Sequence, residues 1–373
     1  MFRVRDVRHN MPGLRDSHIQ IATMTKKILM CGNDACGEGA VLAGCTFYAG
    51  YPITPQNELT AYMSKRLTEL GRTFIQAESE LAAVNMVFGA SAAGARAMTS
   101  SSSPGISLKQ EGISYMAGCE LPAVIVNMQR GGPGLGNIAP AQSDYFQAVK
   151  GGGHGDYKTV VLAPSSVQEI LDYTYLAFDI ADRYRNPAFI LGDGLLGQMM
   201  EPVVIGSTVH SPQSIAKPWA LTGCKGRKPN MIRSLFLGEG ALEEHNKKLQ
   251  EKFKIIKGSE TRAEAFNLKE SDIILVAYGS VARIAKAAMN IARSRGIKAG
   301  LIRPITLWPF PEKVIRDAAD KAKRFLVVEM SSGQMVEDVR LAVNGRAEVD
   351  FYGRMGGGIP TEEEIASVIE KVV

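Results

Sequence analysis

Short apolar segments that alternate with helical ones constrain the fold of this 373-residue chain more than any other feature. Segments typical of buried strands recur at residues 27–30, 46–49, 73–76, 96–99, 123–127, 159–162 and 188–191. Stretches with helical spacing separate several of them, and an S-x-x-E capping box at Ser166 and Glu169 predicts where one helix starts. Such alternation indicates βαβ units. We therefore predict a doubly wound α/β domain whose parallel sheet has helices on both faces.

The alternation stops after residue 202 and resumes at Asp272. The stretch between carries scattered proline and glycine, a basic patch, and one charged helix predicted at 239–254. Strands are predicted again at 273–277, 298–302, 325–329 and 349–352, with helices between them. We predict four segments: a mobile N-terminal extension at 1–23, a first α/β domain at 24–202, a connector with one helix at 203–265, and a second, smaller α/β domain at 266–373.

The composition excludes several classes of protein. With 45% hydrophobic and 22% charged residues the chain has a globular make-up, and no apolar run approaches the ~20 residues that cross a bilayer. The net charge of +5 is spread along the chain, so neither a membrane nor a nucleic acid is an expected partner. The five cysteines form no CxxC pair, so we expect a cytoplasmic protein without an iron–sulfur cluster, zinc site or disulfide framework of its own.

Loops that follow strands are where chemistry is expected, because ligands of open parallel sheets bind beyond the carboxyl ends of the strands. In the first such loop, Pro52 and Pro55 fix the backbone around the Thr54 hydroxyl, which could face an anion at a helix start. The residues alone favour a plainer interpretation, in which Thr54 caps the next helix and Pro55 is its first residue.

Glu80 opens a helix, LAAVNMVFGASAAG, that has no polar face and is therefore predicted to be buried. A carboxylate in the first turn of a helix is a routine partner for the helix dipole. At the mouth of a buried helix it also needs a partner of its own, which a bound ligand could supply.

Arg130 follows a strand and opens the glycine-rich loop RGGPGLGN, a combination that suits a carboxylate or phosphate ligand. Within this loop, residues 134–139 fit GxGxxA, and Asp156 follows at the spacing of a dinucleotide fingerprint. The loop lies in the middle of the predicted sheet, however, and Pro140 and the glycines at 151–153 interrupt the segment after it. A nucleotide site is kept as the rival interpretation.

Residues 192–194 read GDG, which is how the diphosphate and metal motif of thiamine enzymes begins. That motif needs an asparagine downstream, and where it should stand this chain reads ALTGCK. We therefore predict an ordinary turn after a strand and no metal site in this chain.

Several motifs in a fixed order carry a resemblance to a known family. They are GNDA…EGA…AGC at 32–45, YPITP followed by NEL at 51–59, ESE at 78–80, the serine-rich run at 100–105, and QM at 334–335. Together they resemble the alpha subunit of 2-oxoacid:ferredoxin oxidoreductases over residues 24–373. The stretches SSSSPGISLKQEGISY, RGGPGLGNIAPAQSDYF and GGGHGDY are most similar to the branched-chain (3-methyl-2-oxobutanoate) type. The 2-oxoglutarate type is also similar.

The resemblance implies an oxidoreductase of anaerobic metabolism that is a hetero-oligomer and is active only with its partner subunits. Such enzymes decarboxylate a 2-oxoacid on thiamine diphosphate, with coenzyme A, to give acyl-CoA, CO2 and reduced ferredoxin. The alpha subunit contributes a pyrimidine-binding domain and a transketolase C-terminal-like domain. A beta subunit is implied to carry the diphosphate and Mg2+ motif, and a gamma subunit, a ferredoxin-like delta subunit or both are implied partners. The 4Fe–4S clusters are expected in partner subunits.

The resemblance also implies roles for individual residues. Glu80 matches the catalytic glutamate that hydrogen-bonds the pyrimidine ring, and Pro52 and Ile53 match the cofactor-binding stretch beside it. Thr54 and Arg130 match positions that contact the substrate carboxylate.

The sequence leaves the roles of two further residues open. His154, in GGGHGDY, either lines the substrate site or is a hydrogen-bonded turn histidine, and Asp144 is a candidate partner for Arg130. A function of another class also stays open, that of a nucleotide-binding or non-catalytic scaffold subunit.

Overall fold

The computed structural model describes residues 27–206 and 216–373. The first of these ranges contains β1 (Lys27–Cys31), α1 (Gly32–Leu42), β2 (Phe47–Gly50), α2 (Asn57–Glu69), β3 (Thr73–Gln76), α3 (Glu80–Ala92), β4 (Ala97–Ser101), α4 (Ser103–Gly118), β5 (Val124–Gln129), a π-helical turn (Gln147–Gly151), β6 (Val160–Leu162), α5 (Val167–Tyr184), β7 (Ala188–Asp193), α6 (Gly194–Gln198) and β8 (Met200–Val204). The second contains α7 (Ala241–Glu260), β9 (Ala263–Phe266), β10 (Ile273–Val276), α8 (Gly279–Ser294), β11 (Ala299–Pro304), β12 (Thr306–Trp308), α9 (Glu312–Ala319), β13 (Arg324–Glu329), α10 (Met335–Val343), β14 (Glu348–Gly353) and α11 (Glu362–Val372). No helix in these two ranges is both long and apolar enough to cross a membrane.

A seven-stranded sheet with the order β12-β6-β7-β5-β4-β2-β3 forms the first domain. The strands from β6 to β3 pair in parallel, which confirms the predicted βαβ architecture. The strand predicted at 27–30 forms as β1 but lies outside this sheet, pairing antiparallel with β8. Three of its five residues are exposed, so it lacks the burial of a central parallel strand.

The edge strand of the seven-stranded sheet beside β6 is β12, which comes from the C-terminal half of the chain. β12 pairs antiparallel with β6, with Thr306 opposite Leu162. This three-residue strand ends in Trp308 followed by Pro309, so it gives no local strand signal and was not predicted. The two halves of the chain therefore share one sheet.

The second domain is a five-stranded sheet with the order β14-β13-β10-β11-β9. The four predicted strands form as β10, β11, β13 and β14 and pair in parallel, while β9 joins β11 antiparallel. Helices α4 and α11 were not predicted. Glycine and serine, which are weak helix formers, are frequent in α4, whereas α11 carries a clear signal in the capping box of Thr361 and Glu364.

Gln142 joins the two domains through a fully buried set of hydrogen bonds. Its backbone N–H donates to Met330 O at 2.8 Å, and its side-chain Oε1 accepts from Met330 N at 3.0 Å. Its Nε2 donates to Tyr278 O at 2.9 Å, and its carbonyl accepts from the Tyr278 hydroxyl at 3.2 Å. Because buried polar groups are costly when unpaired, this bonding fixes the orientation of the domains.

The helix start at Ser166 differs from its prediction in one contact. Ser166 Oγ accepts from Glu169 N at 3.2 Å, as the capping box predicts. The Glu169 carboxylate turns back to Ser165 rather than to Ser166, accepting from Ser165 N at 2.8 Å and from Ser165 Oγ at 2.9 Å. It also accepts two hydrogen bonds from the Arg303 guanidinium, at 2.6 and 2.7 Å. Burial alone would raise the pKa of Glu169, but the hydrogen bonds and charge of Arg303, together with the hydrogen bonds from Ser165, outweigh it and lower that pKa. Arg303 belongs to β11, so this pair also joins the domains.

Replacing Arg303 by methionine is expected to lower the free energy of unfolding by roughly 3 kcal/mol, because Glu169 loses the cation that compensates its burial. In the wild type this stabilisation is present above the ordinary pKa of a glutamate and is lost as the pH falls through the lowered pKa of folded Glu169. Urea unfolding at neutral and acidic pH measures both effects. Lys313→Met, which removes an exposed helical pair with Asp317, should cost less than about 1 kcal/mol. Equal losses in the two variants would contradict the role of Arg303.

Candidate active site

The carboxyl ends of β3, β2, β4 and β5 meet at one edge of the seven-stranded sheet, because these strands are parallel neighbours. The loop after β2 carries Thr54, and the turn after β3 leads to Glu80. β4 runs into Ser102 and Ser103 at the start of α4, and β5 is followed by Arg130. The three loops predicted to carry chemistry thus come together.

Arg130 is a buried cation, only 7% exposed, without an anionic partner among the described residues. Its Nη1 donates to Thr54 O at 2.9 Å and its Nη2 to Leu135 O at 3.2 Å, both neutral carbonyls. Its Nε is buried without a partner, and none of the described carboxylates forms a salt bridge with it. A buried guanidinium in this state is poised for an anionic ligand.

Thr54 lies in the loop before α2 but does not cap that helix. α2 begins at Asn57 with Gln56 as its N-cap, so the interpretation of Thr54 as a helix cap is wrong. Thr54 Oγ1 accepts instead from Asn57 Nδ2 at 3.2 Å, and its carbonyl accepts from Arg130. In the same loop Pro52 is exposed and Ile53 half-buried.

Glu80 is the first residue of α3 and is 7% exposed, whereas Glu78 is exposed. Its carboxylate lies against Gly105 in α4: a Cβ placed on Gly105 would be 2.6 Å from Glu80 Oε1 and 2.0 Å from Ser101 Oγ. A larger residue at position 105 would therefore displace this carboxylate or the Ser101 hydroxyl. No salt bridge joins Glu80 to another described residue.

Ser103, at the start of α4, connects Arg130 to Asp144. The sequence analysis did not assign a role to this serine. Ser103 Oγ accepts from Arg130 N at 3.0 Å and donates to Asp144 Oδ2 at 2.6 Å. Asp144 therefore reaches Arg130 only through Ser103. Burial raises the pKa of Asp144, and hydrogen bonds from Ser103 and Asn127 partly offset that rise. The polar run SSSSPG after β4 was the signal that could have identified Ser103.

His154 lies apart from this group. Its side chain is exposed and packs edge-on against Tyr115, with ring centroids 5.8 Å apart, and its carbonyl accepts from Ser114 Oγ at 2.6 Å. Ser114 lies nine residues after Gly105 in α4, roughly 14 Å along the helix. The structure does not bring His154 to Arg130 or Glu80.

The glycine-rich loop after Arg130 closes on itself rather than opening a helix. Gly131 N donates to Ala139 O at 2.9 Å and Asn137 N to Gly131 O at 3.0 Å. Gly136 has φ +61°, and a Cβ there would lie 1.8 Å from Gly131 O, so the glycine serves this closure. A dinucleotide fingerprint needs a strand, a turn and then a helix, and here the next element is the π-helical turn. The nucleotide interpretation of this loop is therefore wrong.

Asp193, in the GDG sequence at 192–194, is the last residue of β7 and the N-cap of α6. It is buried, caps α6 by accepting from Leu196 N at 3.0 Å, and accepts from Ser280 Oγ at 2.6 Å. Burial raises its pKa. The turn predicted here is wrong, because β7 continues to Asp193 and α6 begins at Gly194. The bond to Ser280, in α8, also joins the two domains.

Two family models cover most of the chain. Residues 38–265 match the thiamine diphosphate-binding domain of pyruvate flavodoxin/ferredoxin oxidoreductase, and residues 271–365 match core domain II of pyruvate:ferredoxin oxidoreductase. The chain belongs to the 2-oxoacid:ferredoxin oxidoreductase family. The family and fold class predicted from the sequence are confirmed, and the chain is a subunit of an oxidoreductase that uses thiamine diphosphate.

Relatives and a solved structure agree with this family. The chain is 52% identical over 343 residues to the ketoisovalerate oxidoreductase subunit VorB of Methanothermobacter thermautotrophicus, covering 91% of this chain and 96% of that protein. It is 37% identical over 377 residues to the 2-oxoglutarate synthase subunit KorA of the same organism, covering 94% and 100%. The 2-oxoglutarate:ferredoxin oxidoreductase from Magnetococcus marinus, solved with 2-oxoglutarate, coenzyme A and succinyl-CoA bound, superposes with a TM-score of 0.82 at 28% identity. That match covers 93% of this chain and 65% of the solved chain.

Proposed function

We propose that this chain is the alpha subunit of a branched-chain 2-oxoacid:ferredoxin oxidoreductase, with 3-methyl-2-oxobutanoate as its preferred substrate. The reaction is oxidative decarboxylation with coenzyme A to acyl-CoA, CO2 and reduced ferredoxin. The proposal rests on the buried Arg130 guanidinium, which lies at the same sheet edge as Glu80. Within the described ranges it bonds to carbonyl oxygens and to no carboxylate. The substrate class is supported by 52% identity to the ketoisovalerate subunit against 37% to the 2-oxoglutarate subunit.

Thiamine diphosphate fits the residues at this edge. Glu80 offers a buried carboxylate, and Ser101 and Ser102 offer buried hydroxyls that have no partner in the described structure. When bound, thiamine diphosphate supplies the electron sink for decarboxylation. The Glu80 carboxylate holds a proton at the pyrimidine ring nitrogen. Pro52 and Ile53, in the same loop as Thr54, would contact that end of the cofactor.

Arg130 and Thr54 bind the substrate carboxylate in this proposal. The guanidinium supplies the charge and the Thr54 hydroxyl a hydrogen bond, which offset the cost of removing a carboxylate from water. Arg130 also holds the loops at Thr54 and Leu135, so it orients the substrate through two elements at once. The position of His154 beside Tyr115 gives no support to a role in substrate binding.

Partner subunits supply the remaining chemistry. Because Asp193 caps α6 and accepts from Ser280, we assign the diphosphate and Mg2+ to a beta subunit. Within the described ranges, no three histidine, cysteine, aspartate or glutamate side chains form a group that could hold a metal ion. We therefore assign the 4Fe–4S clusters to partner subunits, a gamma subunit, a ferredoxin-like delta subunit or both, which pass electrons to ferredoxin. The cytoplasmic location stays a prediction from cysteine usage.

The complex of this chain with its partner subunits tests the proposal. Reduction of a viologen dye is measured with coenzyme A and, in turn, 3-methyl-2-oxobutanoate, 2-oxoglutarate and pyruvate. The highest kcat/KM is expected with 3-methyl-2-oxobutanoate. A higher value with 2-oxoglutarate would assign the chain to that type. If the complex reduces the dye with none of the three 2-oxoacids, the proposed enzymatic activity is contradicted and a scaffold role is favoured.

A further inference from the structure

Lys109 is a lysine buried in the first domain without a salt bridge to any described carboxylate. It belongs to α4 and is 0% exposed. Its ammonium donates to two neutral oxygens, Thr99 Oγ1 at 3.0 Å and the backbone carbonyl of Glu80 at 3.2 Å. Lysine is almost never fully buried unless it is paired, because its charge is costly to remove from water. Burial of this charge therefore lowers the stability of the fold, and a role in function would account for it.

The geometry directs this ammonium towards Glu80. Gly105 and Lys109 are four residues apart and share one face of α4, and the Glu80 carboxylate lies over Gly105. Side chains of a helix lean towards its N-terminus, which carries Lys109 from its own turn back towards Gly105. The ammonium therefore donates to the backbone carbonyl of Glu80, and the carboxylate of Glu80 lies over Gly105, one helical turn before Lys109.

Glu80 is the one acid that the neighbouring elements present to Lys109. α3, β4 and β5 pack against α4, and within these three elements Glu80 is the only charged residue. Glu111, on α4 itself, is exposed and accepts from the Tyr115 hydroxyl at 2.8 Å. Burial lowers the pKa of Lys109 to about 7, and the charge of Glu80 acts in the opposite direction.

We propose that Lys109 is a positioning residue for the cofactor: it supplies the counter-charge for the Glu80 carboxylate and fixes the backbone from which that carboxylate projects. The inference rests on the proposed function, in which Glu80 binds the pyrimidine ring. Once the ring covers Glu80, water no longer balances its charge, and a cation from inside the fold takes that place. Arg130 cannot do so if it is engaged by the substrate carboxylate.

Affinity for thiamine diphosphate tests this role without relying on turnover. The cofactor-free complex is titrated with thiamine diphosphate and Mg2+ by calorimetry, for the wild type, Lys109→Met, Glu80→Gln and the double variant. Lys109→Met is expected to weaken binding roughly tenfold or more. In the Glu80→Gln background the same change should have little effect, because the charge to be balanced is gone. An equal loss in both backgrounds would overturn the proposal and leave Lys109 a purely structural residue.

Two further measurements separate a charge effect from a folding defect. Methionine is apolar and of similar length, so Lys109→Met should leave the thermal unfolding temperature unchanged or raise it while cofactor affinity falls. Wild-type affinity should decrease as the pH rises through about 7, where Lys109 loses its proton, and the variant should lack this step. A variant with wild-type affinity or the wild-type pH profile would overturn the proposal. If Glu80→Gln itself left affinity and turnover unchanged, the proposed function of Glu80 would fail instead.

Discussion

Replacing Glu80 by glutamine is expected to lower kcat for 2-oxoacid decarboxylation by roughly 10²- to 10⁴-fold at saturating thiamine diphosphate. Glutamine keeps the shape of the side chain and fits against Gly105, but its amide cannot hold a proton at the ring nitrogen as a carboxylate does. The variant should fold and assemble, because no salt bridge between Glu80 and another described residue is lost. Dye reduction by the assembled complex measures kcat, and thermal unfolding reports on the fold.

Glu78→Gln is the matched control, since it makes the same chemical change two residues earlier on an exposed side chain. Its kcat should stay within about twofold of the wild type, because surface substitutions away from a site are near neutral. If Glu78→Gln lost activity and Glu80→Gln did not, the two roles would be exchanged. A wild-type kcat for both variants would mean that neither Glu78 nor Glu80 binds the pyrimidine ring.

The parts of the site that could be predicted from the sequence are those carried by single strands and the loops after them. Thr54, Glu80 and Arg130 each follow an apolar strand segment, and the carboxyl ends of parallel neighbours share one edge. Their proximity therefore needs no knowledge of side-chain packing.

Features that depend on distant parts of the chain could not be predicted. The Lys109 contact with Glu80 requires the packing of α4 on α3, and α4 itself has weak helical propensity because of its glycines and serines. The Glu169 side chain bonds to Arg303, 134 residues away, and its local partner is Ser165 rather than the predicted Ser166. β12 joins a sheet belonging to the other half of the chain. In each case a tertiary partner decides between conformations that the local sequence leaves open.

Replacing Arg130 by glutamine is expected to raise KM for the 2-oxoacid roughly 30- to 1,000-fold, which corresponds to about 2–4 kcal/mol of lost binding. The buried substrate carboxylate would then lack its cation, and the loops at Thr54 and Leu135 would lose a shared donor. The loss should fall mainly on KM. As CO2 forms, the negative charge leaves the carboxylate, so Arg130 stabilises the bound substrate more than the transition state.

Two variants of the assembled complex separate the charge of Arg130 from its geometry. Arg130→Lys keeps the charge but cannot bridge two carbonyls and a substrate carboxylate at once, so an intermediate KM is expected. Arg295→Gln, which changes an exposed arginine paired with Glu370, should leave both kinetic constants unchanged. A lowered kcat with an unchanged KM for Arg130→Gln would contradict substrate binding, because it would mean that the guanidinium acts only on the transition state. It would then have to contact the reacting atoms of the cofactor rather than the carboxylate, and Thr54 would be left as the candidate for holding the substrate.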